Sequence, residues 1–439
     1  MKIAKNTAKN LVINHVEIWN ESGVEKDCFV EVSNGAVKKI GKSSSKAAAE
    51  QSIDGKGAIL IPAGVDPQVH TRVPGQLQKE SAESSLESAV AGGIAALLTM
   101  PNTKPVLDDV SSMQLANEQF SSASDYSGVR VLLSVAITKG QKGQESVDFD
   151  RLAEAGAVAY TDDGVGVVDD QRMRDVYMAS ERSGLPILQH AEMPGHGAVL
   201  AKGPLQTGLE LKPYPRSAEI DMVARDLKLL SEYPQARYHV LHVSCRETLD
   251  LIQSAKAKGL NATCEVSPHH LYLSSADIEK GKTSYKMNPP LRDPADGLAL
   301  RRALQDGQID FVATDHAPHE PTFKGDNFKN AAFGTTGMET SLRVLLALHK
   351  RGELSSERLV EVFSSAPARF LGVSDEYGSI AEGKPFRAVL VGDHQNTYTV
   401  TEDDLASQSK NCCFLGHSLP GQIKNTFIDQ FIFELKRSC

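Results

Sequence analysis

ILIPAGVDPQVH, residues 59–70, is an apolar run that ends in a small set of polar residues. An apolar run of this length is typical of a strand that is buried in a parallel sheet. Because side chains alternate along an extended chain, Gln68 and His70 share one face, and Arg72 continues that face beyond the strand. This pattern predicts a functional site at the carboxyl end of a buried strand.

Seven further buried strands are predicted downstream, with helical patterns between them. The helix predicted in residues 169–184 can begin at Asp169 or Asp170 and end at Gly184, and a second helix in residues 246–259 is also closed by a glycine. Eight strands separated by helices favour an α/β fold, a (β/α)8 barrel of the TIM type, over an open sheet. The seven stretches are GGIAALLTM (92–100), VRVLLSVAI (129–137), AVAYTDD (157–163), LPILQHA (185–191), YHVLHVS (238–244), NATCEVSPH (261–269) and DFVATDHAPH (310–319).

Both ends of the chain have the pattern of antiparallel sheet. Short alternating runs broken by Asn-Gly in residues 10–42 predict two or three strands, and KSSSKAAAEQ (42–51) predicts a loop. After residue 366 the sequence returns to strands that can pair with the N-terminal ones. We therefore expect a barrel over residues 59–365 and a small β-sandwich-like subdomain formed by residues 1–58 together with residues 366–439.

Composition narrows the class of protein and its partners. A hydrophobic content of 41% and a charged content of 23% are ordinary for a globular protein with a large core. The net charge of -9 disfavours nucleic acid and an anionic membrane as partners, because both recruit basic surfaces. Six cysteines without a CxxC pair, and a start without a signal peptide, predict a cytoplasmic protein with reduced thiols.

Polar side chains recur at the carboxyl ends of the predicted strands. In a (β/α)8 barrel these ends meet at one mouth, where catalytic groups lie. One histidine there is more often structural than a ligand, but several histidines and carboxylates that converge are not explained by packing. Without thiolates, such a set suits zinc or another divalent first-row metal in a catalytic site. The residues are Gln68, His70, Asn102, Asp162, Asp163, His190, His242, His269, His270 and Asp315.

At these residues the sequence resembles the dihydroorotases of the amidohydrolase superfamily, particularly the type I class. The matching motifs occur in the family's order from about residue 59 to 345, and MPNT, NPPLR and TDHAPH are the most specific of them. Hydantoinases and most allantoinases carry a carboxylated lysine on the fourth strand, which AGAVAYTDD lacks. The motifs are VDPQVHTRVPG, AGGIAALLTMPNTKPV, YTDDG, LQHAEM, LHVSC, EVSPHHLYL, KMNPPLR, ATDHAPH and FGTTGMET.

The resemblance implies a reaction and a metal centre. The reaction is the reversible cyclisation of N-carbamoyl-L-aspartate to L-dihydroorotate in pyrimidine biosynthesis, with a metal-bound hydroxide as the nucleophile of hydrolysis. Asp315 would act as general acid and base by passing a proton to the ring nitrogen. One or two zinc ions are implied. The outer ion would be held by His70 and Asp315, the inner ion by His190 and His242, and Asp163 would bridge them, with Asp162 as the open alternative.

The resemblance also implies the substrate contacts. Arg72, Asn102 and His319 match residues that grip the carboxylate of dihydroorotate, and an arginine fork suits a carboxylate. Asn288 matches a residue near the pyrimidine ring. His269 and His270 have no ligand role in this pattern, so we expect them to pack or to form supporting hydrogen bonds.

Gln68 departs from the family pattern, because the family carries a histidine at this position. Glutamine is neutral and a poor donor to zinc, so we expect Gln68 to be a weak or absent ligand and the inner metal to be the more secure. Two hypotheses follow. The first is an active dihydroorotase, which the preserved ligands favour. The second is an impaired relative retained as a structural partner of aspartate transcarbamoylase. A homodimer and a transcarbamoylase complex are both left open.

Overall fold

Two eight-stranded sheets organise the chain, for which the computed structural model describes residues 1–43 and 50–436. Most of the loop predicted at residues 42–51 lies outside the described residues. Every helix in the described ranges is too short or too polar to span a lipid bilayer.

The N-terminal part of the chain contributes five strands to the first sheet. Two or three strands were predicted in residues 10–42; three are present and pair with one another in antiparallel fashion, while the fifth strand pairs in parallel with the second. The first and fifth strands were not predicted from the local pattern. The strands are β1 (Lys2–Thr7), β2 (Asn10–Asn20), β3 (Gly23–Ser33), β4 (Ala36–Lys42) and β5 (Gln51–Pro62).

Eight parallel strands form the second sheet; seven lie within a predicted stretch, and the strand Arg237–Val240 begins one residue before the stretch 238–244. They neighbour one another in chain order. A parallel bridge between Val69 and His316 joins the first strand to the chain after the last one, and the His70 amide donates to the His316 carbonyl over 2.8 Å. The (β/α)8 barrel is thereby confirmed. The strands are β6 (Gly64–Val69), β7 (Ile94–Thr99), β8 (Arg130–Val135), β9 (Ala159–Tyr160), β10 (Pro186–Gln189), β11 (Arg237–Val240), β12 (Ala262–Val266) and β13 (Phe311–Val312).

The stretch 59–70 contains the end of one strand and the whole of the next, where a single strand was expected. β5 stays in the first sheet as far as Pro62, and β6 enters the barrel from Gly64. At Gly64 a Cβ atom would lie 2.5 Å from the Phe363 ring, so the chain can pass here only as glycine. The first sheet therefore extends a few residues beyond the expected boundary at residue 58.

Helices between the strands begin and end at the signals in the sequence. Asp169 caps the helix that follows β9 by accepting a hydrogen bond from the Arg172 amide, and Gly184 ends it with a φ of 73°. The helix predicted from residue 246 ends at Ala257, and Gly259 follows with a positive φ. The α-helices are α1 (Ala82–Gly92), α2 (Val110–Ser127), α3 (Phe149–Glu154), α4 (Asp170–Ser183), α5 (Pro204–Gly208), α6 (Ser217–Leu230), α7 (Arg246–Ala257), α8 (Pro268–Tyr272), α9 (Pro294–Gln305), α10 (Pro321–Lys324), α11 (Met338–Lys350), α12 (Ser356–Val360) and α13 (Ala366–Phe370). Shorter helical turns are Lys139–Gln141, Thr283–Tyr285, Glu361–Ser365 and Glu402–Asp404.

Three C-terminal strands complete the first sheet, which joins both ends of the chain. They are β14 (Arg387–Thr399), β15 (Ser418–Ile428) and β16 (Phe431–Lys436), and the strand order is β1-β16-β15-β14-β5-β2-β3-β4. Buried residues such as Ile13, Phe386 and Phe427 form a core that belongs to this sheet alone. Val389 of β14 instead packs into the barrel core, so the subdomain and the barrel share a continuous apolar contact.

Two glycines that end helices offer a matched test of this contact. Gly93 follows α1 with a φ of 75°, and a Cβ atom there would lie 2.5 Å from Val389; Gly184 follows α4 with a φ of 73° and has open space around it. Gly184→Ala should cost about 1 kcal/mol through backbone strain alone. Gly93→Ala should cost about 1–3 kcal/mol more through steric overlap, as measured by thermal and urea unfolding. Equal losses in the two variants would contradict the contact.

Candidate metal and substrate site

A cavity of about 210 Å³ lies at the carboxyl mouth of the barrel. The ends of β6, β7, β10, β11 and β13 reach it, together with the loops after β9 and after α8. Except for Gln68, which is fully buried beside it, all the predicted metal and substrate residues line this cavity. These lining residues are His70, Arg72, Asn102, Asp163, His190, His242, Asn288, Asp315 and His319.

Asp163, His190 and His242 form a compact group of potential metal ligands, all of them buried. His190 Nδ1 lies 3.0 Å from His242 Nε2 and 3.3 Å from Asp163 Oδ1, and His242 Nε2 lies 3.8 Å from the same oxygen. In a tetrahedral zinc site with bonds of about 2.0–2.2 Å, ligand atoms are roughly 3.3–3.6 Å apart. The three separations of 3.0, 3.3 and 3.8 Å lie around this range, so small side-chain adjustments would let the two imidazoles and the carboxylate hold a divalent cation.

Asp162 and Asp163 are adjacent in the sequence but have different surroundings. Asp162 points away from the cluster, where its Oδ1 accepts hydrogen bonds from the Ile137 and Thr138 amides and its Oδ2 from the Thr138 hydroxyl. Burial outweighs these bonds and raises the pKa of Asp162 to about 6. Asp162 thus holds the loop after β8, and Asp163 is the one of the pair that meets the histidines.

The second oxygen of Asp163 faces the outer residues. Its Oδ2 lies 3.2 Å from His70 Nε2 and accepts a hydrogen bond of 3.2 Å from Gln68 Nε2. His70 Nε2 is also 3.1 Å from Asp315 Oδ1. Asp163 is therefore placed between an inner group and an outer group, as a bridging carboxylate would be.

The electrostatics of the cluster attract positive charge. Burial alone would raise the pKa of Asp163, but the neighbouring His70, His190 and His242 hold it well below its usual value. Burial alone would lower the pKa of His190, but hydrogen bonds to Asp163 and Glu192 raise it to about 10. The site therefore binds a proton readily in this form, and a cation can take the place of that proton.

Three residues at the mouth have a strained backbone. Arg72, His242 and Asp315 have positive φ angles of 64°, 33° and 50°, in a region that residues other than glycine rarely adopt. Each follows a barrel strand, β6, β11 or β13. Such strain persists where the surrounding fold over-determines the conformation, and it is typical of functional sites.

Arg72 and His319 present a cationic and a neutral group on one wall. Arg72 Nε donates to the Pro318 carbonyl over 3.2 Å, and Arg72 Nη2 lies 3.3 Å from His319 Nε2. Burial lowers the pKa of Arg72 to about 10, so it stays charged at neutral pH, and burial together with Arg72 lowers the pKa of His319 to about 2. A buried guanidinium without a carboxylate in hydrogen-bonding contact is suited to an anionic ligand.

Two amides in the cavity wall have definite partners. Asn102 Oδ1 lies 2.9 Å from His70 Nδ1, so Asn102 orients that histidine as well as facing the cavity. Asn288 Nδ2 donates to Glu192 Oε2 over 2.6 Å, while its buried Oδ1 has no hydrogen-bond partner within the described residues. Both amides therefore line the cavity and also contact a neighbouring side chain of the site, His70 for Asn102 and Glu192 for Asn288.

Glu192 is the residue of this site that sequence reasoning missed. It lies two positions beyond His190, and its Oε2 is 3.1 Å from His190 Nε2. Hydrogen bonds from His190, Asn288 and His196 hold its pKa below the usual value against the opposing effect of burial. The signal was available in LQHAEM, because histidines that bind metals commonly donate their second N–H to a carboxylate.

His269 and His270 lie behind the cavity, as expected from their lack of a ligand role. Their rings are 4.5 Å apart, and His270 Nε2 lies 3.1 Å from the Pro289 carbonyl oxygen. Burial lowers the pKa of His269 to about 4, so this imidazole is neutral.

Comparisons with known proteins place the chain among enzymes. The model of the Amidohydrolase family matches residues 59–429. Curated proteins named dihydroorotase from Pelobacter propionicus and Aquifex aeolicus are 37% and 36% identical to this chain; the matches cover 95% and 96% of it and 98% of each relative. The L-hydantoinase (dihydropyrimidinase) of Arthrobacter aurescens has the same fold, with a TM-score of 0.83 at 24% identity over 96% of this chain and 95% of that one.

The two adjacent aspartates give a direct test of the metal cluster. Asp163→Asn should lower the affinity for a divalent metal at least tenfold, because it removes the charged ligand shared by the cluster. Asp162→Asn should retain the metal, because Asp162 only holds the loop after β8. The metal retained after dialysis can be measured by mass spectrometry. The assignment is wrong if Asp162→Asn loses metal and Asp163→Asn does not.

Proposed function

The chain belongs to the amidohydrolase family and, within it, to the dihydroorotases, and from this premise we propose how its site works. It is a cyclic amide hydrolase that interconverts N-carbamoyl-L-aspartate and L-dihydroorotate. The observation that supports the residue assignments below is the presence, in one small cavity, of a carboxylate–imidazole cluster and a buried guanidinium. The cluster suits amide chemistry, and the guanidinium suits the carboxylate that both substrates carry.

Zinc is the metal that we propose for the inner position, held by Asp163, His190 and His242. When bound there, a zinc ion lowers the pKa of a coordinated water to about 7 and polarises the amide carbonyl. His190 presents Nδ1 and His242 presents Nε2 toward Asp163 Oδ1, so the fold already places these three atoms close together.

Asp315 is the general acid and base in this proposal. Its Oδ1 is fixed by His70 Nε2 at 3.1 Å, which leaves the other carboxylate oxygen for the reacting groups. In hydrolysis, Asp315 takes a proton from the attacking water and delivers it to the ring nitrogen as the carbon–nitrogen bond breaks. In cyclisation the same carboxylate removes a proton from the carbamoyl nitrogen and returns it to the departing water.

Arg72, Asn102 and His319 position the substrate through its carboxylate. The Arg72 guanidinium can donate two parallel hydrogen bonds to a carboxylate, and its burial strengthens this charge-assisted contact. The neutral His319 imidazole lies beside it at 3.3 Å. Asn288 Oδ1 is an unpartnered acceptor in the described structure and can receive an N–H of the ring.

Gln68 leads us to propose a single tightly bound metal. Its Nε2 donates a hydrogen bond to Asp163 Oδ2, the oxygen that would face a second metal, and a neutral amide supplies little of the charge or basicity of an imidazole. The outer position retains only His70, Asp163 and Asp315 as good ligands. We therefore expect the inner metal to be retained and an outer metal to bind weakly.

Cellular context forms the last part of the proposal. We place the enzyme in the cytoplasm, in line with five buried cysteines that are all unpaired within the described residues.

The alternative of a purely structural partner is not favoured, because relatives over nearly the whole chain are named dihydroorotase. A homodimer or a complex with aspartate transcarbamoylase is compatible with an active enzyme, and gel filtration with and without the transcarbamoylase tests both.

The function is tested by following both directions of the reaction with wild type and Arg72→Met. Wild type should cyclise carbamoyl-aspartate and hydrolyse dihydroorotate, and Arg72→Met should lose about 10–100-fold in kcat/KM through a charge-assisted hydrogen bond worth about 1.5–3 kcal/mol. Dihydrouracil lacks the carboxylate, so its slow hydrolysis should not respond to Arg72→Met. The control is the exposed Arg182→Met. An equal loss with both ring substrates contradicts the carboxylate contact.

Gln68→His tests the proposed metal number. The added imidazole should raise the tightly bound zinc from about one to about two ions per chain, because it supplies the missing nitrogen ligand. Zinc content after dialysis against a weak chelator measures this, and the rate of cyclisation should rise or stay equal. Gln171→His adds a histidine on the exposed face of α4 and controls for adventitious zinc. Wild type that already holds two ions contradicts the proposal.

A further inference from the structure

Glu192 connects a proposed metal ligand to a proposed substrate contact. Its Oε2 lies 3.1 Å from His190 Nε2 and 2.6 Å from Asn288 Nδ2, so both groups converge on one carboxylate oxygen. Its other oxygen, Oε1, lies 2.7 Å from His196 Nε2. Three nitrogen groups thus hold a carboxylate whose side chain is only 19% exposed.

The carboxylate fixes which nitrogen of His190 faces the proposed metal position. In a neutral imidazole one ring nitrogen donates and the other accepts. Glu192 can only accept at His190 Nε2, so it stabilises the form of the ring that has its proton there and leaves the Nδ1 lone pair for a cation. Nδ1 is the atom that faces Asp163 and His242, and a metal ligand needs that lone pair.

The same oxygen determines which way the Asn288 amide points. An amide has an NH2 end that donates and an oxygen end that accepts. Because Glu192 Oε2 accepts from the NH2 end, Asn288 must turn Oδ1 away from Glu192. Asn288 lines the cavity, and its Oδ1 is buried without a partner in the described part of the chain.

His196 keeps the carboxylate itself in place. The Ala198 amide donates to His196 Nδ1 over 3.1 Å, so the His196 proton lies on Nε2 and is directed at Glu192 Oε1. The His196 ring also packs against Tyr214, with ring centres 4.2 Å apart. Glu192 is therefore held from the side opposite the cavity.

We propose that Glu192 is a positioning residue that orients both the His190 ring and the Asn288 amide. This inference rests on the proposed function and adds to it a link between metal binding and recognition of the substrate ring. The Asn288 amide lines the cavity, so its orientation decides which of its two ends a ring or carbamoyl group of the substrate meets. One side chain thus prepares both the inner metal position and a contact for the substrate.

The test uses Glu192→Gln and Glu192→Ala in the full chain, with Glu210→Gln as the control. Glu210 is exposed and belongs to the same long loop between β10 and α6. Zinc affinity is measured by competition with a coloured chelator, without reference to activity, and kcat and KM are measured for both substrates. Both Glu192 variants should bind zinc about 10–100-fold more weakly and, when saturated with zinc, should show a raised KM.

A second background separates the two effects of Glu192. In the Asn288→Ala background, Glu192→Gln should still weaken zinc binding. It should not raise KM further, because the Asn288 amide that Glu192 orients is absent. A general loss of folding would instead lower the melting temperature and the active fraction, with KM and zinc affinity unchanged.

The outcomes distinguish this proposal from the proposed function. Zinc affinity or KM in the Glu192 variants equal to wild type overturns the positioning role, as does an equal rise of KM in the Asn288→Ala background. Wild type that binds zinc but converts neither substrate contradicts the proposed function instead, and the zinc measurements on the Glu192 variants then still decide whether Glu192 positions His190.

Discussion

The site depends on one buried carboxylate, that of Asp163, whose two oxygens serve different neighbours. Oδ1 faces His190 and His242, and Oδ2 faces His70 and Gln68. A carboxylate that is 1% exposed is stable only when nearby groups compensate its charge. These neighbours come from β6 and from the ends of β10 and β11, so compensation requires a closed barrel with every strand in register. The proposed chemistry therefore depends on the closed barrel, because the barrel supplies the groups that compensate the charge of Asp163.

Local sequence patterns predicted the barrel strands and a β-subdomain shared by the two chain ends, but they did not predict how the strands of that subdomain pair. Each barrel strand is a short apolar run bounded by polar residues or glycine, so eight of them could be predicted separately. The pairing of β1 with β16 and of β5 with β14 joins residues hundreds of positions apart, and no local pattern carries that information. The division of residues 59–70 between two sheets has the same origin, because residues 59–62 pair with residues 388–391 of β14.

The candidate site divides in a similar way. The polar ends of the strands and the family resemblance together indicated the residues that line the cavity. They preferred Asp163 but left Asp162 open as the alternative, because the difference between the two depends on Thr138, which hydrogen-bonds Asp162. Glu192 was missed because it lies beyond the strand end, where a carboxylate is ordinarily solvated. The contacts of Glu192 form between loops, and the sequence pattern predicts the conformation of loops less well than that of helices and strands.

Because Gln68 is a neutral amide, we expect the outer residues His70 and Asp315 to have a different role from that in a two-metal centre. His70 Nε2 lies 3.2 Å from Asp163 Oδ2 and 3.1 Å from Asp315 Oδ1. Two carboxylates that share one contact repel each other unless positive charge lies near them. A second metal would supply that charge. In the proposed one-metal centre, His70 Nε2 remains the contact that the two carboxylates share. In that proposal His70 would orient Asp315, the proposed general acid and base, rather than serve mainly as a metal ligand.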